Sequence, residues 1–75
     1  MVTMHRRGNW KVAVYGRDHG APHFHVEGPG FRCWVAIATR ALIIGDAPRD
    51  MLEGAMAWAE AHEDELAAKW RELNG

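Results

Sequence analysis

His23-Phe24-His25-Val26-Glu27, then Gly28-Pro29-Gly30, then Phe31-Arg32-Cys33-Trp34-Val35-Ala36-Ile37-Ala38 is the stretch from which the fold is read. Two runs flank a Gly-Pro-Gly break, and in each run apolar residues recur at every second position. Successive side chains of a strand point to opposite faces. Phe24 and Val26 therefore share one side, with Cys33, Val35 and Ile37 of the following strand. His23, His25 and Glu27 share the other side, with Trp34 and Ala36.

Upstream, Trp10 to Tyr15 shows the same alternation, with Trp10, Val12 and Val14 apolar. Gly16 to Pro22 holds two glycines, an aspartate and a proline, and reads as a turn. Downstream, Thr39-Arg40 is a short turn and Ala41 to Ile44 a weaker fourth strand. Connections this short imply an antiparallel meander. Two faces then follow: Trp10, Val12, Val14, Phe24, Val26, Cys33, Val35 and Ile37 form a core face, and Ala13, Tyr15, His23, His25, Glu27, Trp34 and Ala36 lie opposite. One helix covers only one face, so the histidine face is expected to be open to solvent, a ligand or a second subunit.

Beyond Gly45 the period changes. Asp46 is expected to cap a helix by accepting from free backbone N–H groups, with Pro48 in the first turn, where its missing donor costs little. Met51, Ala55, Trp58, His62, Leu66, Trp70 and Leu73 recur every three or four residues, an amphipathic stripe, and Asn74-Gly75 ends it. About 26 residues at 1.5 Å each span roughly 39 Å. The helix therefore either overhangs and docks on a partner or bends near Ala61 to Asp64, where Glu63-Asp64-Glu65 suits the first turn of a second segment. The expected architecture is α+β: a three- or four-stranded antiparallel sheet (the β-rich part, 8–45) followed by a long or bent C-terminal helix (46–74), in one domain spanning 1–75.

Length agrees with one domain, since 75 residues leave no room for two cores. Four tryptophans supply much burial for a small core, or an interface. The formal net charge of −1 argues against duplex DNA bound through a broad basic surface. A local basic patch (Arg6, Arg7, Lys11, Arg17) leaves a small RNA open. Cys33 is alone, so no internal disulfide forms, as in a reducing compartment. It alternates with the core and is read as packing. No apolar run approaches the roughly 20 residues of a membrane span, and no signal peptide is recognisable. A cytoplasmic protein is expected.

The candidate chemistry lies at Asp18-His19-Gly20-Ala21-Pro22-His23-Phe24-His25-Val26. One reading is a divalent-metal site, zinc for example. His23 and His25 direct two imidazoles to one side, His19 folds back across the turn, and Asp18 or Glu27 supplies a carboxylate. Three protein ligands plus water is the arrangement of catalytic zinc. His62 joins only if the helix covers the histidine face, which would make the set His19, His23, His25 and His62. If the helix covers the Phe24 and Val26 face, His62 cannot reach His23. A second reading is metal-free RNA cleavage. His23 and His25 act as acid and base beside Tyr15, Arg17 or Lys11 stabilises the transition state, and Trp34 stacks on a base. The third is non-enzymatic: the His/Trp face is a dimer or partner interface.

The run from Asp18 to Val26 resembles the Pro-Pro-His-Phe-His-Val signature of the small bacterial proteins grouped as domain of unknown function 4160. Pro48-Arg49-Asp50-Met51-Leu52, Trp58, His62, Glu65-Leu66 and Trp70 resemble that family's proline-started helix. The likeness runs from about Gly8 to Trp70, and it departs at Ala21, where the family has the first of two prolines. The resemblance implies a toxin–antitoxin-type module, a ribonuclease-type toxin or its partner, acting as a homodimer or with a small cognate protein. It also groups His62 with His19, His23 and His25.

Overall fold

The computed structural model describes all residues, Met1–Gly75. Five strands form one antiparallel meander in the order β1-β2-β3-β4-β5: β1 Val2–Arg7, β2 Trp10–Val14, β3 His23–Gly28, β4 Phe31–Ala36 and β5 Leu42–Asp46. Two helices follow, α1 Arg49–Ala61 and α2 Glu63–Asn74. The sheet thus has one strand more than expected. Residues 1–7, read as a basic lead, pair with β2 across a Gly8-Asn9 turn in which Gly8 takes φ +58°. Two-residue hairpin turns need positive φ, which glycine supplies without strain. β1 escapes the pattern because an extra residue between Thr3 and His5 shifts its register and breaks the alternation.

The expected core face is observed. Trp10, Val12, Val14, Phe24, Val26, Cys33, Val35 and Ile37 are all buried, and the helices close over them with Ala55, Ala59, Leu66 and Trp70. The fully buried residues of α1 are small, Ala55 and Ala59, while Met51, Leu52, Met56 and Trp58 pack half-buried around them. Gly54 lets α1 lie flat on Trp10, since a Cβ there would sit 3.3 Å from the indole ring.

The helix bends at His62 rather than overhanging. His62 has φ −126° and serves both as C-cap of α1 and N-cap of α2. The molecule's longest extent is 31 Å, shorter than a straight helix of this length would need. The acidic run opens α2 as expected, where carboxylates favour the positive end of the dipole. Glu63 also takes an ion pair from Arg40 at 2.6 Å, tying the helix break to the β4–β5 turn. Asp46 does not cap α1. It ends β5, its Oδ1 accepts from the Ala47 N–H, and Pro48 occupies the N-cap position without a side-chain bond.

Candidate functional site

The opposite sheet face carries a row in register across all five strands: Thr3, Ala13, His25, Trp34 and Ile44. It was expected to be open, yet His23 is 1% exposed and His25 6%. The reason is a contact between distant segments. The turn Gly16–Pro22 folds over the histidines, and the last turn of α2 reaches the end of the sheet where β2 leaves and β3 enters. His23 stacks on Trp34 with centroids 4.5 Å apart and meets Trp70 at 4.9 Å. His25 lies 4.3 Å from the Tyr15 ring and 5.1 Å from Trp34.

Asp18, on that turn, is the centre of the site. Its Oδ2 is 2.9 Å from His23 Nε2 and 3.3 Å from His25 Nε2. Its Oδ1 accepts from the His19 N–H at 3.1 Å. The three ligand atoms Oδ2, Nε2 and Nε2 lie within 4.8 Å of one another. His23 Nδ1 donates to the Ala21 carbonyl at 2.9 Å. With that nitrogen protonated, Nε2 presents a lone pair to a carboxylate, an arrangement that requires a cation, proton or metal, between them. His25 Nδ1 is buried without a hydrogen-bond partner, and the nearest acceptor, Glu27 Oε2, is 3.9 Å away. Glu27 is held by the Tyr15 hydroxyl, which donates at 2.9 to 3.0 Å, and by Lys11 at 3.9 Å and Arg32 at 3.5 Å.

The electrostatics follow from this packing. Burial pushes the His25 imidazole below its ordinary pKa, and the Asp18 hydrogen bond only partly offsets it. Burial acts upward on the Asp18 carboxyl, but bonds from His25 and the His19 amide, with the charge of His23, outweigh it and hold the carboxyl low. Burial and the bond to Glu27 raise the Tyr15 phenol. Cys33 is fully buried in the core, and that burial raises its thiol, as fits a packing role.

The structure therefore brings together His23, His25, Tyr15 and Asp18 from the sequence candidates, with Glu27 behind them. It does not bring in the others. The His19 side chain is exposed, at the rim of a hollow of about 370 Å³ lined also by His23, Trp34, Ala36 and Ile43. Arg17 is exposed with φ +55°, and its side chain makes no hydrogen bond or ion pair. His62 lies on the helical side of the sheet, where it donates from Nδ1 to the Trp58 carbonyl at 2.8 Å and stacks on the Trp58 ring at 4.3 Å. His5, which sequence reasoning passed over, stacks on Trp58 at 4.8 Å. Because the helices cover the Phe24 and Val26 face, His62 and the Asp18 cluster lie on opposite sides of the sheet. No helix is long and apolar enough to cross a membrane.

The family profile described as "Domain of unknown function (DUF4160)" matches residues 9–71, a span that contains all of the Asp18–His23–His25 cluster. No curated protein and no solved structure matches the chain.

Proposed function

The chain belongs to the domain of unknown function 4160 family, and from that premise we propose that it is a divalent-metal-binding domain whose ligands are Asp18 Oδ2, His23 Nε2 and His25 Nε2. One observation carries this reading. Both Nε2 atoms converge on one carboxylate oxygen, while His23 Nδ1 gives its proton to the Ala21 carbonyl; His25 Nδ1 has no such partner, the Glu27 carboxylate lying 3.9 Å away. Metal-bound histidines characteristically give their second nitrogen to a carbonyl or carboxylate, which fixes the tautomer and raises ligand basicity. The two contacts to Asp18 Oδ2, hydrogen-bond lengths in themselves, are also lengths that a shared metal accepts. Ligands about 2.1 Å from a metal are about 3.0 Å apart at right angles and about 3.4 Å apart at the tetrahedral angle; the observed separations are 2.9 and 3.3 Å. Two imidazoles and a carboxylate suit zinc or a comparable first-row metal and leave a position for water, whose pKa the metal would lower to supply a nucleophile. A metal-free ribonuclease reading has less support, because Arg17, a cation it would use, stands exposed outside the cluster, and Lys11, the other, faces Glu27.

The test is elemental analysis of protein purified without an affinity tag. One divalent metal per chain, lost in Asp18→Ala, is expected. Absence of metal as purified, together with no stoichiometric uptake of zinc, cobalt or manganese, overturns the reading.

A second reading, a protein-interaction module, is favoured by β5. Leu42, Ile43 and Ile44 are 43, 45 and 52% exposed on an edge strand, and apolar edges pair readily with other chains. The reading predicts self-association that Ile44→Lys abolishes in sedimentation. A strictly monomeric wild type removes the self-pairing form.

A further inference from the structure

The turn that carries Asp18 is not held by its own sequence. Arg17 sits at φ +55°, a left-handed conformation disfavoured for any residue with a side chain, and Gly20 at φ +82° makes the second reversal. Something outside the turn must hold it down. Near its β3 end the turn is tied to β3 and β4, by His23 Nδ1 on the Ala21 carbonyl, the Ile37 N–H on the Pro22 carbonyl and the Asp18 carboxylate on both imidazoles; at the main chain of Tyr15 and Asp18 it is held from the last turn of α2 by one side chain. Asn74 Oδ1 accepts from the Asp18 N–H at 2.9 Å, and Asn74 Nδ2 donates to the Tyr15 carbonyl at 3.1 Å. The same Nδ2 donates to the Trp70 carbonyl at 3.1 Å, four residues back, which fixes the side chain against its own helix. Beside it, Gly16 lies against Leu73 so closely that a Cβ would be 3.4 Å from the Leu73 carbonyl oxygen.

Trp70 and Asn74 are i and i+4 on one helix face. Trp70 packs on His23, and Asn74 bonds the residue that bridges His23 and His25. One helical turn therefore touches both sides of the cluster. Asn74 also lies outside the residues matched to the family, 9–71.

We infer that Asn74 is a positioning residue for the Asp18–His23–His25 site: it clasps the Gly16–Pro22 turn to α2 and so sets the Asp18 carboxylate onto the two imidazoles. It touches no ligand atom. It acts through the Asp18 main chain, as outer partners of metal ligands do, and removal of such partners typically weakens metal affinity by about 10- to 100-fold. The inference rests on the proposed metal site for its affinity readout, but not for its structural one.

The experiment uses the full chain as wild type, Asn74→Ala and Glu72→Ala, the last a solvent-facing change on the same helical turn. Each is titrated with Co²⁺ followed by its visible spectrum, and each metal-free form is followed by amide hydrogen exchange. Asn74→Ala is expected to bind Co²⁺ about 10- to 100-fold more weakly and to lose protection at the Asp18 amide, while Val12 and Val35 keep theirs and Glu72→Ala behaves as wild type. If the wild type takes up no Co²⁺, the metal reading fails and the exchange data alone judge the clasp. Unchanged protection at Asp18 overturns it. So does an equal loss at Asp18, Val12 and Val35, which is what a helix turn with only a structural role would produce. Metal affinity in Asn74→Ala equal to wild type also overturns it.

Discussion

Asp18→Asn, studied with a chelator present, isolates what the carboxylate does for the fold before any metal binds. The substitution keeps size and shape but removes the charge that faces two buried imidazole nitrogens at 2.9 and 3.3 Å. Hydrogen bonds to a charged group contribute about 1.5–3 kcal/mol each. The longer one falls at the weak end, and the amide keeps one acceptor, so the expected loss at pH 7 is about 2–4 kcal/mol. For a chain of 75 residues the whole stability is on the order of 4–11 kcal/mol. Urea denaturation resolves this easily: with a slope of about 1 kcal/mol/M the midpoint falls by about 2–4 M. The pH dependence identifies the cause. The Asp18 pKa is lowered in the fold, so its contribution is fully present above the unfolded value of about 3.9 and disappears as pH falls through the lower folded value. The gap between wild type and variant should widen somewhat from pH 7 to about pH 5, because the variant also loses the support that Asp18 gives the His25 proton, and close as pH falls below about 4. A gap under about 0.5 kcal/mol at pH 7, the range of an ordinary surface change, would refute the reasoning. A gap that persists unchanged in acid would refute it equally.

Three further outcomes follow from the same structure. Leu66→Ala empties a fully buried position between α2 and the sheet and should cost about 2–5 kcal/mol by chemical denaturation; a cost below about 1 kcal/mol would mean that α2 is not packed as described. Gly45→Ala places a Cβ onto the Arg32 carbonyl oxygen at φ +78°, so a loss of at least about 2 kcal/mol is expected, and a neutral thermal melt would contradict the β4–β5 register. Because the His25 pKa is lowered in the fold, the unfolded chain binds the extra proton below about pH 6.5. Metal-free wild type should therefore lose stability as pH drops from 6.5 through the folded value, and His25→Gln should flatten that slope; equal slopes would sink the assignment.

Alternation along β2, β3 and β4 was enough to assign both sheet faces, and it placed His23, His25, Tyr15, Trp34 and Glu27 together. The helix stripe with its acidic second start led to the bend at His62. What periodicity does not carry is contact between distant segments. The histidine face looked open because its cover is not a regular element: it is an irregular turn pinned by a helix end some 56 positions away in sequence, at the Asp18–Asn74 bond. β1 was hidden by a register shift within six residues. Asn74 read as a helix terminator because asparagine favours such positions, and nothing local marks its second partner. The family resemblance grouped His62 with the motif histidines, yet the side of the sheet that its helix covers keeps it with Trp58 and His5.

The central claim, that Asp18, His23 and His25 hold one metal ion, is tested most directly by X-ray absorption at the metal edge of zinc-loaded, tag-free protein. The account predicts nitrogen and oxygen neighbours at about 2.0–2.1 Å with the outer scattering of two imidazoles, lost in the His23→Ala, His25→Ala double variant. Zinc neighbours without imidazole scattering, or a spectrum that the double variant leaves unchanged, would contradict it.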